Sequence, residues 1–368
     1  VGGNGSCPMM RKFFRFAGRK GGAFMKKALL VVLVLCMAFL GFAQGTKEQT
    51  ASAPAVAPAG KGSVTIYCPH EADPLNAGVK EFEDATGIHV DVVAAGSGEL
   101  LKRIAAEKDN PLCDVFWGGG AESTAANAQY FDTFIPDADA LIPATSKDTN
   151  RKWVGESPVP VVIMYNKNLV SEADAPKGWK DLLNPKWKGK IAFADPAKSG
   201  SAYTLLCTMI TAFGKDDGKG WEFIKALYAN LDGKIQGSSS NSYKMVADGE
   251  YCIGLTQEKS VQNYLIAGAN VGMVYPQEGT SAVPDAIGIV KGCKNLENAK
   301  IFANFMLDKQ NQKMMSDKFN RRSVRTDMDP PTKLPPMKDI KLVNYDFAWA
   351  STQKADVLAK WKDIVVGK

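Results

Sequence analysis

The chain has 368 residues, a length that suits about two domains, and its 45% hydrophobic and 23% charged residues exclude a disordered or fibrous chain and one that needs a disulfide or metal staple to fold. The net charge is +6, but residues 1–43 carry seven basic residues and no acidic one, leaving 38 basic against 39 acidic in the remainder. The basic excess therefore belongs to the leader, and nothing global in the body points to nucleic acid or an anionic membrane surface.

Met25-Lys26-Lys27 is a basic start to an apolar run, Ala28 to Phe42, and Gly41-Phe42-Ala43 is a small-x-small cleavage site. This is the grammar of a secretory signal peptide, so residues 1–43 are expected to be a leader with Met25 as its true start. The mature protein is then exported. Cys36 offers a second route, a lipid anchor, although Val34-Leu35 before it are not the small residues such signals carry. Residues 44–62, rich in Ala, Pro, Ser and Thr, read as a flexible tether. Five cysteines follow, Cys68, Cys113, Cys207, Cys252 and Cys293, an odd number without a CxxC; most are expected to be buried free thiols.

From Ser63 the chain alternates apolar runs with amphipathic stretches. Val64–Tyr67 reads as a strand. Asp73-Pro74 opens a helix that runs to Thr86-Gly87, and Ile88–Ala94 is the next strand. Ser97-Gly98-Glu99 opens a second helix, and Asp114–Trp117 is a buried strand entering Gly118-Gly119-Gly120. The pattern returns with strands at 159–165 and 190–194, a helix opened by Ser199-Gly200-Ser201, an amphipathic helix at 221–231, and one capped by residues 238–241. Strands follow at 252–256, 271–275 and 286–290, then a long helix from 295 to about 317 and a last one at about 351–366. Strand–helix–strand repetition implies an α/β fold with mostly parallel sheets flanked by helices. The elements divide into two lobes, 63–158 with about 285–325 and 159–284 with about 326–368. Residues 159–165 and 277–290 are the expected crossings, which makes a hinge with a cleft facing the carboxyl ends of the strands.

Five junctions are rich in Ser, Thr and Gly: 95–99, 118–120, 198–201, 237–240 and 278–281. Helix N-termini present unpaired N–H groups and partial positive charge, glycine admits an anion to the backbone, and serine adds a donor. At any single junction ordinary capping explains the serine equally well; five on one face favour binding. Of the two histidines, His89 lies within a strand and reads as structural, whereas His70 follows a strand end within reach of a ligand. Trp117 sits at another strand end, where core packing is the competing explanation. The sequence lacks HExxH, GxxxxGK[ST] and GxSxG motifs, so zinc hydrolase, Walker nucleotide and nucleophile-elbow readings fall away.

The segments 67–71 (YCPHE), 95–104 (AGSGELLKRI) and 114–119 (DVFWGG) resemble the first lobe of periplasmic solute-binding proteins of bacterial ABC importers. Residues 184–191 (NPKWKGKI), 195–203 (DPAKSGSAY), 246–251 (VADGEY) and 275–280 (YPQEGT) are similar to the other lobe. The resemblance spans roughly 63–325 and points to the branch of ferric-ion, phosphonate, hexose-phosphate and thiamine binders. It implies a type II-like two-lobed periplasmic binding protein without a cofactor, a monomer serving an inner-membrane ABC permease. The ferric binders use adjacent tyrosines, and the matching stretch here, Thr256-Gln257-Glu258-Lys259-Ser260, has none. A small anionic phosphate- or phosphonate-bearing solute, such as a sugar phosphate, is therefore the expected ligand. Ferric iron or thiamine is the alternative, and an exported phosphohydrolase the distant one. By motif position Ser97, Ser199, Ser201 and Thr280 are assigned to the anion, and Asp195, Glu258 and His70 to hydroxyls or an amine. Gly98, Trp117, Gly118 and Ser239 complete the expected ligand-binding set.

Overall fold

The computed structural model describes residues 62–367. The leader, its cleavage site, Cys36 and the tether up to residue 61 lie outside the described residues. Strands β1 (Ser63–Cys68), β2 (His89–Ala94), β3 (Val115–Gly120) and β4 (Val154–Pro158) are followed by β5 (Val161–Asn166), β6 (Ile191–Ala194) and β7 (Ile235–Gln236). The last three are β8 (Ile253–Gln257), β9 (Val271–Val274) and β10 (Pro284–Ile289). They form two five-stranded sheets, ordered β2-β1-β3-β10-β4 and β7-β6-β8-β5-β9.

Both sheets are mixed rather than largely parallel. β1 runs parallel to β2 and β3, and β6 parallel to β7 and β8. β10 is antiparallel to β3 and β4, and β5 to β8 and β9. The physical reason lies in the connections. Strands fed by helical crossovers re-enter from the same end and run parallel. The chain instead passes directly between sheets from β4 to β5 and from β9 to β10, and strands that enter from the other lobe arrive head-on.

β4 was not expected from the sequence, and the run beginning at Val159 is a strand only from Val161. Val159-Pro160 is the crossing itself, where proline has no N–H to give a ladder. The second crossing lies alongside: Val159 N–H donates to Val283 O (3.3 Å) and Val161 N–H to Ser281 O (3.2 Å). The expected long helix at 295–317 is two helices, Leu296–Leu307 and Lys309–Phe319. Asp308 is extended (φ −65°, ψ 149°), and its carboxylate accepts from Gln310 N–H, so an aspartate N-cap restarts the helix. The final helix likewise divides into Phe347–Thr352 and Lys354–Val366.

Each sheet has its own core. Ile66, Val115, Trp117 and Ile287 pack with Phe82 and Phe302 beneath the first. Val161, Ile163 and Phe193 pack with Leu206, Ile210 and Trp361 beneath the second. The helix Gly200–Phe213 is buried almost all round rather than along one stripe, as its nearly unbroken apolar sequence demands. The five mature cysteines are free thiols; Cys68, Cys113 and Cys207 are buried and the other two half-buried.

Candidate functional site

The carboxyl ends of β1, β2, β3, β6, β7 and β8 open on one cavity of about 710 Å³. The first lobe contributes Cys68–Ala72, Ala94–Glu99, Lys102, Gly119 and Gly120. The second contributes Ala197–Ser201, Gly237–Ser240, Tyr243, Gln257, Lys259 and Ser260, and Asp285 on the hinge strand β10 joins them. Three helices, Ser97–Ala106, Gly200–Phe213 and Ser239–Ala247, start at this cavity, and a fourth, Glu258–Ile266, presents Lys259 and Ser260 from its first turn. Their N-terminal N–H groups and dipoles make the walls electropositive without a metal.

Of the expected ligand-binding residues, His70, Ser97, Gly98, Ser199, Ser201 and Ser239 line the cavity. The others are placed elsewhere. Trp117 is fully buried in the first core, with its ring edge against His70 at a centroid distance of 5.0 Å. Gly118, at φ +115°, is the seat of the His70 ring, since a Cβ there would lie 2.8 Å from it. Asp195 turns back to accept from Ala197 N–H (3.0 Å) and Trp361 Nε1–H (3.2 Å). Glu258 is buried in a bidentate pair with Arg322 (2.8 and 2.9 Å) and accepts from the Tyr275 hydroxyl. Thr280 is fully buried and donates to Val161 O across the crossing. Thus four of the five Ser/Gly junctions converge, and the fifth, 278–281, serves the hinge. His89 opens β2, its side chain mostly exposed and 2.8 Å from Glu83.

The expected set omitted Lys259, Ser260, Glu71, Asp285, Lys102 and Tyr243. Lys259 and Ser260 adjoin Glu258 in the quoted stretch, and helical phase decides which of them faces the cavity. From the sequence no helix is expected between the strands at 252–256 and 271–275, and the helix Glu258–Ile266 is what sets that phase.

Behind the cavity floor lies a buried charged cluster. Lys259 Nζ pairs with Asp285 Oδ2 at 2.6 Å, and Arg321 reaches Asp285 and Glu156 at 3.1 and 3.2 Å. His70 sits among them: Nε2 is 3.3 Å from Glu156 without a hydrogen bond to it, and Nδ1 is 3.4 Å from Lys259 Nζ. Burial, helped by the Arg321 and Lys259 charges, holds His70 below its ordinary imidazole value. Burial alone would push Asp285 up, but Lys259, His70 and Arg321 hold it well below the usual carboxylate range. His70, Glu156 and Asp285 place one ligand atom each within 4.8 Å of one another, yet the two carboxylates already hold Lys259 and Arg321.

The two lobes touch across the cavity mouth. Gly200 N–H donates to Ser97 Oγ (3.0 Å) and Ser260 Oγ–H to Glu71 Oε1 (2.6 Å). A Cβ on Gly96 or Gly98 would come within 3.3 Å of Lys198 O, so glycine is what permits the approach. Ser199 accepts from Ala202 N–H at 3.2 Å as the cap of its helix. Ser199→Ala is expected to cost about 1 kcal/mol through that lost cap, seen as a lower urea midpoint at unchanged slope; an unchanged midpoint would show the cap to be dispensable.

Residues 77–341 match the family described as bacterial extracellular solute-binding protein. The chain belongs to this family. A structural neighbour is the periplasmic binding protein AfuA from Actinobacillus pleuropneumoniae with exogenous fructose-6-phosphate bound. It shares 26% identity at a TM-score of 0.78, over 83% of this chain and 99% of that one. A sequence relative is the putative 2-aminoethylphosphonate-binding periplasmic protein of Salmonella paratyphi A, 29% identical over 68% of this chain and 73% of its own length. The major ferric iron-binding protein of Neisseria gonorrhoeae is 24% identical over 73% of this chain and 81% of its own. The two-lobed fold and the hinge of crossing strands are those of a periplasmic binding protein. This solute-binding protein is the non-enzymatic binding component of an ABC importer, which implies a solute ligand and a permease partner, and its family is periplasmic or extracellular.

Proposed function

We propose that this solute-binding protein captures a small solute bearing a phosphate or phosphonate group, and that it works as a monomer whose lobes close on the ligand. The observation that carries the reading is the convergence of four helix N-termini, with Ser97, Ser199, Ser201 and Ser239 among their first residues, on one cavity. Such an array binds an oxyanion through backbone and hydroxyl donors, and Lys102, Lys198 and Lys259 on the same walls add positive charge. A structural neighbour with exogenous fructose-6-phosphate bound and a relative named for 2-aminoethylphosphonate agree with this chemistry.

A thermal-shift panel of sugar phosphates, alkyl and aminoalkyl phosphonates, thiamine and uncharged analogues tests it. A true ligand at 100 times its Kd stabilises the fold by about 2.7 kcal/mol. Stabilisation by only uncharged or cationic compounds defeats the proposal.

Ferric iron is the second reading, favoured by the Neisseria relative and by the His70–Glu156–Asp285 cluster. Against it, Tyr243 is the one tyrosine on the cavity wall; Tyr264 lies beside it, ring centroids 5.7 Å apart, but off the wall. Burial pushes the Tyr243 hydroxyl far up, away from the phenolate that Fe(III) favours. Titration with ferric citrate, followed in the visible, is expected to give no saturable phenolate band; a one-to-one band lost in Tyr243→Phe would restore iron.

A further inference from the structure

One carboxylate at the cavity floor has no cation paired to it. Glu156 and Asp285 share Arg321, and Asp285 also holds Lys259. The third carboxylate there is Glu71, and among the described residues it makes no ion pair, since Lys259 and Arg321 are taken by Asp285 and Glu156. Glu71 Oε1 accepts from the Ser260 hydroxyl at 2.6 Å, whereas its Oε2 is buried and has no hydrogen-bond partner. Glu71 lies on the cavity wall, and a buried carboxylate oxygen without a donor is a costly arrangement unless something binds there.

We infer that Glu71 Oε2 receives an ammonium group of the ligand, so that the cavity takes a zwitterion: its phosphonate or phosphate on the helix N-termini, its amine on Glu71. This rests on the oxyanion reading above and narrows it. A neutral sugar hydroxyl could donate one hydrogen bond to Oε2 but would leave the carboxylate without a cation; an ammonium supplies both. The chemistry therefore favours aminoalkyl phosphonates or phosphates over sugar phosphates.

The test is calorimetric titration of the mature protein with 2-aminoethylphosphonate and with ethylphosphonate, which lacks the amine, repeated on Glu71→Gln. The wild type is expected to prefer the amine on the order of 10- to 100-fold, the range for a hydrogen bond between charged groups. Glu71→Gln should lose most of that preference, its loss of affinity falling on 2-aminoethylphosphonate far more than on ethylphosphonate. Equal affinity of the wild type for both compounds, or a preference undiminished in Glu71→Gln, overturns the Glu71 assignment and leaves the oxyanion reading standing. Binding of neither compound overturns the Glu71 assignment too, and the oxyanion reading then stands or falls on the sugar phosphates of the thermal-shift panel. The comparison of two ligands on the wild type decides the matter even if Glu71→Gln does not fold.

Discussion

Arg321→Ala is expected to destabilise the protein by roughly 3–5 kcal/mol at neutral pH, the usual cost of removing one member of a buried ionic cluster. Arg321 is 3% exposed and is the shared partner of Glu156 and Asp285. Its loss leaves Glu156 without a cation and Asp285 with Lys259 alone. The penalty should depend on pH, with a definite sign. Both carboxylates are held below their ordinary range in the folded protein, so their contribution is complete above the unfolded-state value of about 4 and falls away as pH drops below it. His70, also held low, adds a loss that begins as pH falls through about 6.5, because the unfolded chain takes up the proton first. Urea unfolding at neutral pH and near pH 4 should show the wild type weakening on acidification and the gap to Arg321→Ala narrowing. A gap that widens at low pH would mean that the cluster is not held by these ion pairs.

Gly98→Val should raise the Kd for the ligand on the order of 10- to 100-fold while leaving the stability of the free protein nearly intact. The Cβ of any residue at 98 faces Lys198 O at 3.3 Å and Ala197 O at 3.6 Å, backbone atoms of the opposite lobe. Valine adds two methyl groups beyond that contact, and overfilling a close contact costs about 1–3 kcal/mol, here charged only to the closed form. Titration calorimetry gives the affinity. Small-angle scattering gives the shape: the wild type should contract on binding, and the variant should contract less or not at all. Wild-type affinity in Gly98→Val would show that closure does not depend on this approach of the lobes.

The sequence by itself determined most local structure and the places where a ligand could bind. Strand–helix grammar located β1, β2, β6, β8 and β9 to within a residue or two, because apolar runs and Ser, Asp and Gly boundary residues act over a few positions. Four Ser/Gly junctions were legible for the same reason: a residue at the end of a strand that opens a helix has few places to be except the rim of a sheet. What only the tertiary structure decided were pairings between residues far apart in the chain. Strand direction depends on which lobe feeds the strand, so the mixed sheets followed from the two crossings and not from the pattern of any one strand. Glu258 and Lys259 are neighbours in sequence, yet one turns to Arg322, 64 residues away, and the other to Asp285 at the cavity floor. Thr280 carries the composition of an anion loop but lies in the hinge, bonded to Val161. Glu71, quoted in the motif yet given no role, acquires one only because Ser260 takes one of its oxygens and Lys259 and Arg321 are claimed by other carboxylates. A charge's partner is set by three-dimensional distance, which falls outside any short window of sequence.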